Sequence, residues 1–168
     1  DVPAQNKHLE KLDQLFIIIF DNITTLKTSL EENIYLYQNT SEPLDRETLQ
    51  LELDYISGQL TFFATSPDLL GLLTQNFSHR LADVREQVMS LLYLLCVVVN
   101  DVQQIIVHLE RLHNKDSENM IKFIRKKLPQ IDNERIALCY DSSTYNNNNN
   151  NTSGYNNNSI QSLYDSND

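Results

Sequence analysis

The longest hydrophobic repeat in this chain runs through residues 77–112 and constrains its fold more than any other feature. Apolar residues recur there at alternating steps of three and four over about ten helical turns. The positions are Phe77, Leu81, Val84, Val88, Leu91, Leu95, Val98, Val102, Ile105, Leu109 and Leu112. Because this spacing keeps the side chains on one face of an α-helix, the repeat predicts a helix with a coiled-coil-like seam.

Two earlier segments repeat the same spacing. The first consists of Leu9, Leu12, Phe16, Ile19, Ile23, Leu26, Leu30, Asn33 and Tyr37, of which only Asn33 is polar. The second consists of Leu49, Leu53, Ile56, Leu60 and Phe63. The chain has three glycines and four prolines, so long stretches contain no residue that interrupts a helix. An all-α fold with heptad seams is therefore expected.

Turn and capping residues divide these segments. Ser41 is a candidate N-cap ahead of Pro43, and Ser66 is a candidate N-cap for a helix that begins with a proline. Ser117 is a candidate N-cap for a short last helix that Pro129 is expected to end. The predicted helices are residues 7–38, 44–64, 67–77, 80–113 and 117–128, within one domain of residues 1–140.

Two arrangements are open for residues 67–113. A break near residues 76–79 gives three rods of similar length and hence an antiparallel three- to four-helix bundle. One unbroken helix would instead project beyond the other helices and expose its most apolar part, which would require a partner. The absence of Gly and Pro at 76–79 favours the unbroken helix, whereas burial of residues 91–99 favours the break. We favour the break.

Residues 91–99 form a run of nine apolar residues. As a helix the run is about 14 Å long, too short to cross a hydrocarbon layer of about 30 Å. It covers every side of its helix, as does the run at residues 15–20, so both need neighbours all round, and we expect them to meet at the bundle centre. The residues beside the seam are either core or a candidate partner surface: Leu92, Tyr93, Leu94, Val97 and Val99.

The formal net charge of −10 argues against binding to nucleic acid, which needs a clustered basic surface. One local exception is residues 115–130, which carry a net charge of +3. Its candidate basic patch is Lys122, Arg125, Lys126 and Lys127. Because Ile121, Phe123 and Ile124 alternate with these cations, the segment could lie on the surface of an anionic membrane without spanning it.

No pattern in the sequence indicates a reaction, a metal or a cofactor. Glu110 and His113 form a single E-x-x-H motif, whereas bundle metal sites use two copies and further glutamates. Cys96 lies within the apolar run, where burial makes a thiol unreactive, and no C-x-x-C pair occurs. The chain is therefore not expected to be an enzyme.

Residues 141–168 form an Asn-rich, low-complexity segment that we expect to be a disordered tail. With few cysteines, the protein is expected to be intracellular and cytoplasmic. The predicted function is a non-catalytic protein–protein interaction module, a helical-bundle scaffold or subunit of a larger assembly. Its partners would be other helical subunits or a second copy of the chain. The alternative is a peripheral membrane adaptor that binds anionic lipid through residues 122–127.

Overall fold

Residues 2–139 fold into α-helices joined by short connections. A computed structural model describes the backbone of residues 2–139 and the side chains of residues 3–139. The helices are α1 (Val2–Gln38), α2 (Pro43–Ala64), α3 (Pro67–Asn76), α4 (Ala82–Val98), α5 (Val102–Glu110) and α6 (Lys115–Ala137). No strand occurs within this described part, and the all-α prediction is confirmed. The Asn-rich segment 141–168 lies outside the described residues.

The first three helices follow their predicted boundaries to within a few residues. Pro43 lies in the first turn of α2, as expected. Its N-cap is Glu42, which makes no side-chain capping hydrogen bond, so the prediction of Ser41 as the cap is wrong. Ser66 does cap α3, since its hydroxyl accepts a hydrogen bond from the N–H of Leu69 at 3.4 Å.

Helix α3 ends at Asn76 and α4 begins at Ala82, so the predicted break near residues 76–79 is confirmed. The turn between α3 and α4 contains no Gly or Pro, and hydrogen bonds from side chains stabilise it instead. The ring nitrogen Nδ1 of His79 accepts from the N–H of Leu81 at 3.1 Å. The Arg85 guanidinium then reaches back and donates to the His79 carbonyl at 2.6 Å. A histidine and an arginine can therefore end one helix and start the next in a segment with no helix-breaking residue.

A second break divides the segment predicted as one helix over residues 80–113, so that prediction is wrong. Helix α4 ends at Val98 and α5 begins at Val102. Asp101 caps α5, accepting from the N–H of Gln103 at 3.0 Å. The hydrophobic seam continues across the break, because Val98 and Val102 are both buried. Heptad spacing alone could not reveal a break that leaves the seam in register.

The guanidinium of Arg135 occupies the end of α4. Arg135 is buried, and it donates hydrogen bonds to backbone carbonyls where α4 stops. The acceptors are the carbonyls of Cys96 at 2.9 Å, Val97 at 3.3 Å, Asn100 at 2.8 Å, and Val99. The last carbonyls of a helix lack partners within the helix and carry partial negative charge. A buried cation there satisfies both requirements.

Helix α6 is nearly twice as long as the predicted helix 117–128. It begins two residues earlier, because the N-cap is Asn114 and the prediction of Ser117 as the cap is wrong; Ser117 completes a capping box from the third position. The Ser117 N–H donates to Asn114 Oδ1 at 2.8 Å. The helix also continues through Pro129. Ile131 and Arg135 are buried beyond the proline, so their packing outweighs the one backbone hydrogen bond that proline removes.

One hydrophobic core includes residues from every helix. Helix α4 lies at its centre, since α4 contacts each of the other five helices. Most of the apolar run 91–99 is therefore buried, to 2% exposure or less. The other run is different, because four of its six residues are 39–57% exposed: Leu15, Ile17, Ile18 and Phe20. The expectation that both runs meet at the centre therefore holds for residues 91–99 and is wrong for residues 15–20.

Replacing Arg135 with Ala should lower the free energy of unfolding by about 3–5 kcal/mol, because several buried carbonyls would lose their donors together. Arg135→Lys should recover only part of this loss, since one ammonium group cannot match the fork of the guanidinium. Chemical denaturation followed by circular dichroism measures both. The control is Arg125→Ala on the exposed face of the same helix, which should change stability by less than about 0.5 kcal/mol. Equal effects at both arginines would contradict the capping role.

Candidate interaction surfaces

The structure separates the predicted partner surface on α4 into two parts. Leu92, Val97 and Val99 are 0–2% exposed, so other helices of the same chain cover them and, of the two alternatives, they belong to the core. Tyr93 and Leu94 are half-buried and border a groove. The helices packed around α4 account for the difference, because they leave only one side of it partly open.

This groove lies between α1, α4 and α6 and has a volume of about 770 Å³. Its apolar lining includes Phe20, Met89, Tyr93, Leu94 and Phe123. Burial, followed by the hydrogen bond and the negative charge of Glu134, raises the pKa of Tyr93 to about 12. The hydroxyl donates its hydrogen bond to the Glu134 carboxylate.

The predicted basic patch lies on the outer side of α6. Lys122, Arg125 and Lys126 are exposed, and Lys127 is half-buried. Of these residues, Lys126 and Lys127 line the groove beside Tyr93 and Leu94. The fold therefore brings part of the basic patch to the remaining open part of the α4 surface, although the two were predicted as separate sites.

The apolar residues that alternate with this patch face inward. Ile121 and Ile124 are buried in the core. Phe123 packs edge-to-face on Phe77, with ring centroids 6.4 Å apart. Membrane-surface helices insert apolar side chains below the headgroups, and here these three side chains are engaged within the fold.

A stripe of exposed apolar residues runs along the outer face of α2, and it was not among the predicted surfaces. Leu44, Leu51, Tyr55 and Phe62 are each 67–76% exposed. With Thr48 and Gly58 they follow steps of four and three, the heptad spacing of a second seam. We call these six positions the α2 stripe. The signal was present in the sequence, but the buried seam at residues 49–63 on the opposite face of the helix concealed it.

Gly58 lies within the α2 stripe at a point where this fold does not require a glycine. It is exposed, and a Cβ atom built on it would have no neighbour within 4 Å. Glycine in a helix interior costs about 1 kcal/mol relative to alanine, so the chain bears this cost without a structural need of its own. Between Tyr55 and Phe62, the missing side chain leaves a shallow notch in the stripe.

Acidic residues flank the α2 stripe. Helix α2 contains four acidic residues and one basic residue. Glu47 and Glu52 are exposed on either side of Leu51. The basic residue, Arg46, packs over the ring of Tyr37 with its guanidinium carbon 4.5 Å from the ring centroid. The outer face of α2 is therefore apolar along its centre and negative along its edges.

The histidine and cysteine residues that could bind a metal or act as nucleophiles do not line these surfaces. Across residues 3–139, no group of three or more His, Cys, Asp or Glu side chains is placed to hold a metal ion. His113 is exposed beyond the end of α5, with φ 50°. Burial raises the pKa of Cys96 to about 12, although the nearby Arg135 acts in the opposite direction. Burial also raises the pKa of Cys139.

Comparisons with protein-family models, with curated proteins and with solved structures gave no match for this chain. None of the helices described between residues 2 and 139 combines the length and the hydrophobicity needed to cross a bilayer.

The two cysteines should differ sharply in reactivity. Both are free thiols, Cys96 buried and Cys139 partly accessible. Since the thiolate is the nucleophile, raised pKa values slow both, and burial blocks Cys96 entirely. At about pH 8, the native protein should react slowly with Ellman's reagent at Cys139 alone, and the second thiol should react only after denaturation. A native Cys139→Ser variant that still releases the chromophore would contradict the burial of Cys96.

Proposed function

We propose that this chain is a non-catalytic protein–protein interaction module, and that a partner helix packs along the α2 stripe. In this proposal residues 1–140 form an antiparallel helical bundle that acts as a subunit of a larger intracellular, cytoplasmic assembly. The α2 stripe is the single observation that supports it. Soluble proteins rarely expose several large apolar side chains in one heptad-spaced row unless a partner covers them.

The size of the stripe sets what the partner must supply. Burying four large apolar side chains contributes on the order of 6–12 kcal/mol before costs. Association itself costs about 4–15 kcal/mol. Because the two ranges overlap, hydrophobic contact alone does not give a specific complex. Charge at the edges and close approach at Gly58 would have to decide which helix binds.

The charge of α2 favours a basic partner. A helix with Lys or Arg beside its apolar seam would face Glu47 and Glu52 with opposite charge. A second copy pairing through its own α2 would bring acidic edges together, which is unfavourable. We therefore propose a different helical subunit with basic flanking positions, in preference to a homodimer formed through α2.

The alternative of a peripheral membrane adaptor has less support. Lys122, Arg125 and Lys126 are available to an anionic surface, whereas Ile121 and Ile124 are buried and the half-buried Phe123 packs on Phe77. Electrostatic attraction to anionic lipid is worth about 1 kcal/mol per basic residue. No observation on the described residues adds an inserted apolar group to this attraction, so the helix-binding function is preferred.

A designed peptide tests the proposed partner chemistry. The peptide carries Leu and Ile at the seam positions and Lys at the flanking positions over about four heptads. It should bind the full chain at least about tenfold more tightly than the same peptide with Glu at the flanking positions, and the difference should shrink as salt rises. Fluorescence anisotropy measures both. The proposal would be overturned if the two peptides bound equally well. It would also be overturned if the Leu51→Ser/Tyr55→Ser variant bound the lysine peptide as tightly as the unchanged protein.

Gly58→Ala separates stability from binding. Alanine meets no neighbour at this site in the free protein, so its free energy of unfolding should be about 0.5–1 kcal/mol higher than that of the unchanged protein. The same methyl group should weaken binding of the lysine peptide several-fold if a helix backbone approaches closely there. Gly71→Ala on α3 is the matched control, since it also meets no neighbour within 4 Å and lies off the stripe. Unchanged peptide affinity in Gly58→Ala would contradict close packing at the notch.

A further inference from the structure

The groove between α1, α4 and α6 is a second apolar surface, distinct from the α2 stripe. We propose that residues 159–168 of the same chain occupy it as an intramolecular ligand. The side chains of Ile160, Leu163 and Tyr164 would cover Tyr93 and Leu94, and the acidic residues that follow would pair with Lys126 and Lys127.

The composition of the chain beyond α6 identifies this segment. Residues 140–158 contain no aliphatic side chain. Ile160, Leu163 and Tyr164 then follow within five residues, at the i, i+3, i+4 spacing that places them on one face of a helical turn. This is the one apolar cluster in residues 140–168 that could fill a groove lined by Phe20, Met89, Tyr93, Leu94 and Phe123.

The charges of the segment and the groove are complementary. Residues 140–168 contain three aspartates, at 141, 165 and 168, and no lysine or arginine. In the groove Lys27 already pairs with Glu31 at 3.3 Å, which leaves Lys126 and Lys127 as the cations for an incoming carboxylate. The groove also has two carboxylates of its own, Glu86 and Glu134, and Glu134 accepts a hydrogen bond from Tyr93.

The order of these groups along α6 matches the order along the segment. Glu134 lies about two turns beyond Lys127, nearer the end of α6. A chain that leaves α6 and folds back along the groove passes Glu134 before it reaches the two lysines. The apolar residues of the segment come first, and Asp165 and Asp168 come last. The carboxylates therefore reach the basic end of the groove and avoid the acidic end.

The connecting length suits this return. Along a helix, the thirteen-residue separation from Lys126 to Cys139 corresponds to about 20 Å. A random coil of about 20 residues has a root-mean-square span of about 25 Å, which is the reach that a connection of this length would have as a coil. A tether whose span matches the distance gives an effective concentration near the millimolar range. Even an intrinsically weak contact of three apolar side chains and two ion pairs would then be substantially occupied.

Photo-crosslinking in the full chain tests the proposal. The reactive amino acid p-benzoylphenylalanine replaces Tyr164 in one protein and, as a matched control, Tyr155 in another. Position 155 lies in the same chain segment but outside residues 159–168. Position 164 should give intramolecular crosslinks to Met89, Leu94 or Phe123, identified by mass spectrometry, at least about tenfold above position 155.

Charge reversal supplies the second arm. Lys126→Glu/Lys127→Glu should lower the groove crosslink from position 164 several-fold, because two attractions become repulsions. Lys122→Glu/Arg125→Glu, on exposed residues of the same helix that do not line the groove, should leave it unchanged. Circular dichroism confirms that each variant remains helical. Equal yields from positions 164 and 155, insensitivity to Lys126 and Lys127, or crosslinks that join two chains would each overturn the proposal.

Discussion

The contact between Arg135 and the end of α4 determines much of this architecture. Helix α4 has to stop inside the protein, because α5 must turn away while the hydrophobic seam stays buried. A helix end within a core leaves carbonyl groups without water, at a cost of about 1–3 kcal/mol for each unsatisfied group. Arg135 offers several donors to that point. The same contact fixes α6 beyond Pro129 and so sets where the groove ends.

The sequence predicted the helices well where one face is apolar. The positions of the first seam are buried or half-buried in α1, and Ser66 caps α3 as expected. The break at Val99 to Asp101 could not be predicted from periodicity, since a seam in register reads the same across it. Asp101 caps α5 locally, but the donor to the carbonyls at the break is Arg135, more than thirty residues away, and such a long-range hydrogen bond leaves no local pattern. Pro129 was expected to end the last helix, but α6 continues through it because Ile131 and Arg135 pack into the core beyond it.

The candidate surfaces followed less directly from the sequence. An all-apolar run indicates that a helix needs neighbours, but it does not say whether the neighbours belong to the same chain. For Leu92, Val97 and Val99 they do. The α2 stripe and the groove depend on which helix faces remain uncovered, and this is decided only when all the helices pack. Helix α2 has two seams on opposite faces. The seam at residues 49–63 packs into the core, and the α2 stripe remains exposed.

The distance in sequence between α4 and Arg135 has a consequence for synthesis of the chain. The carbonyl of Val99 is joined to a residue made 36 positions later. At about 5–20 residues per second, a ribosome needs about 2–7 s to cover that distance. During this interval the nine apolar residues 91–99 have been synthesised, but Arg135 has not, and α6, which covers them in the folded protein, is incomplete. The nascent chain therefore carries its longest apolar run before Arg135 and α6 are made, and this interval is when a chaperone would matter most.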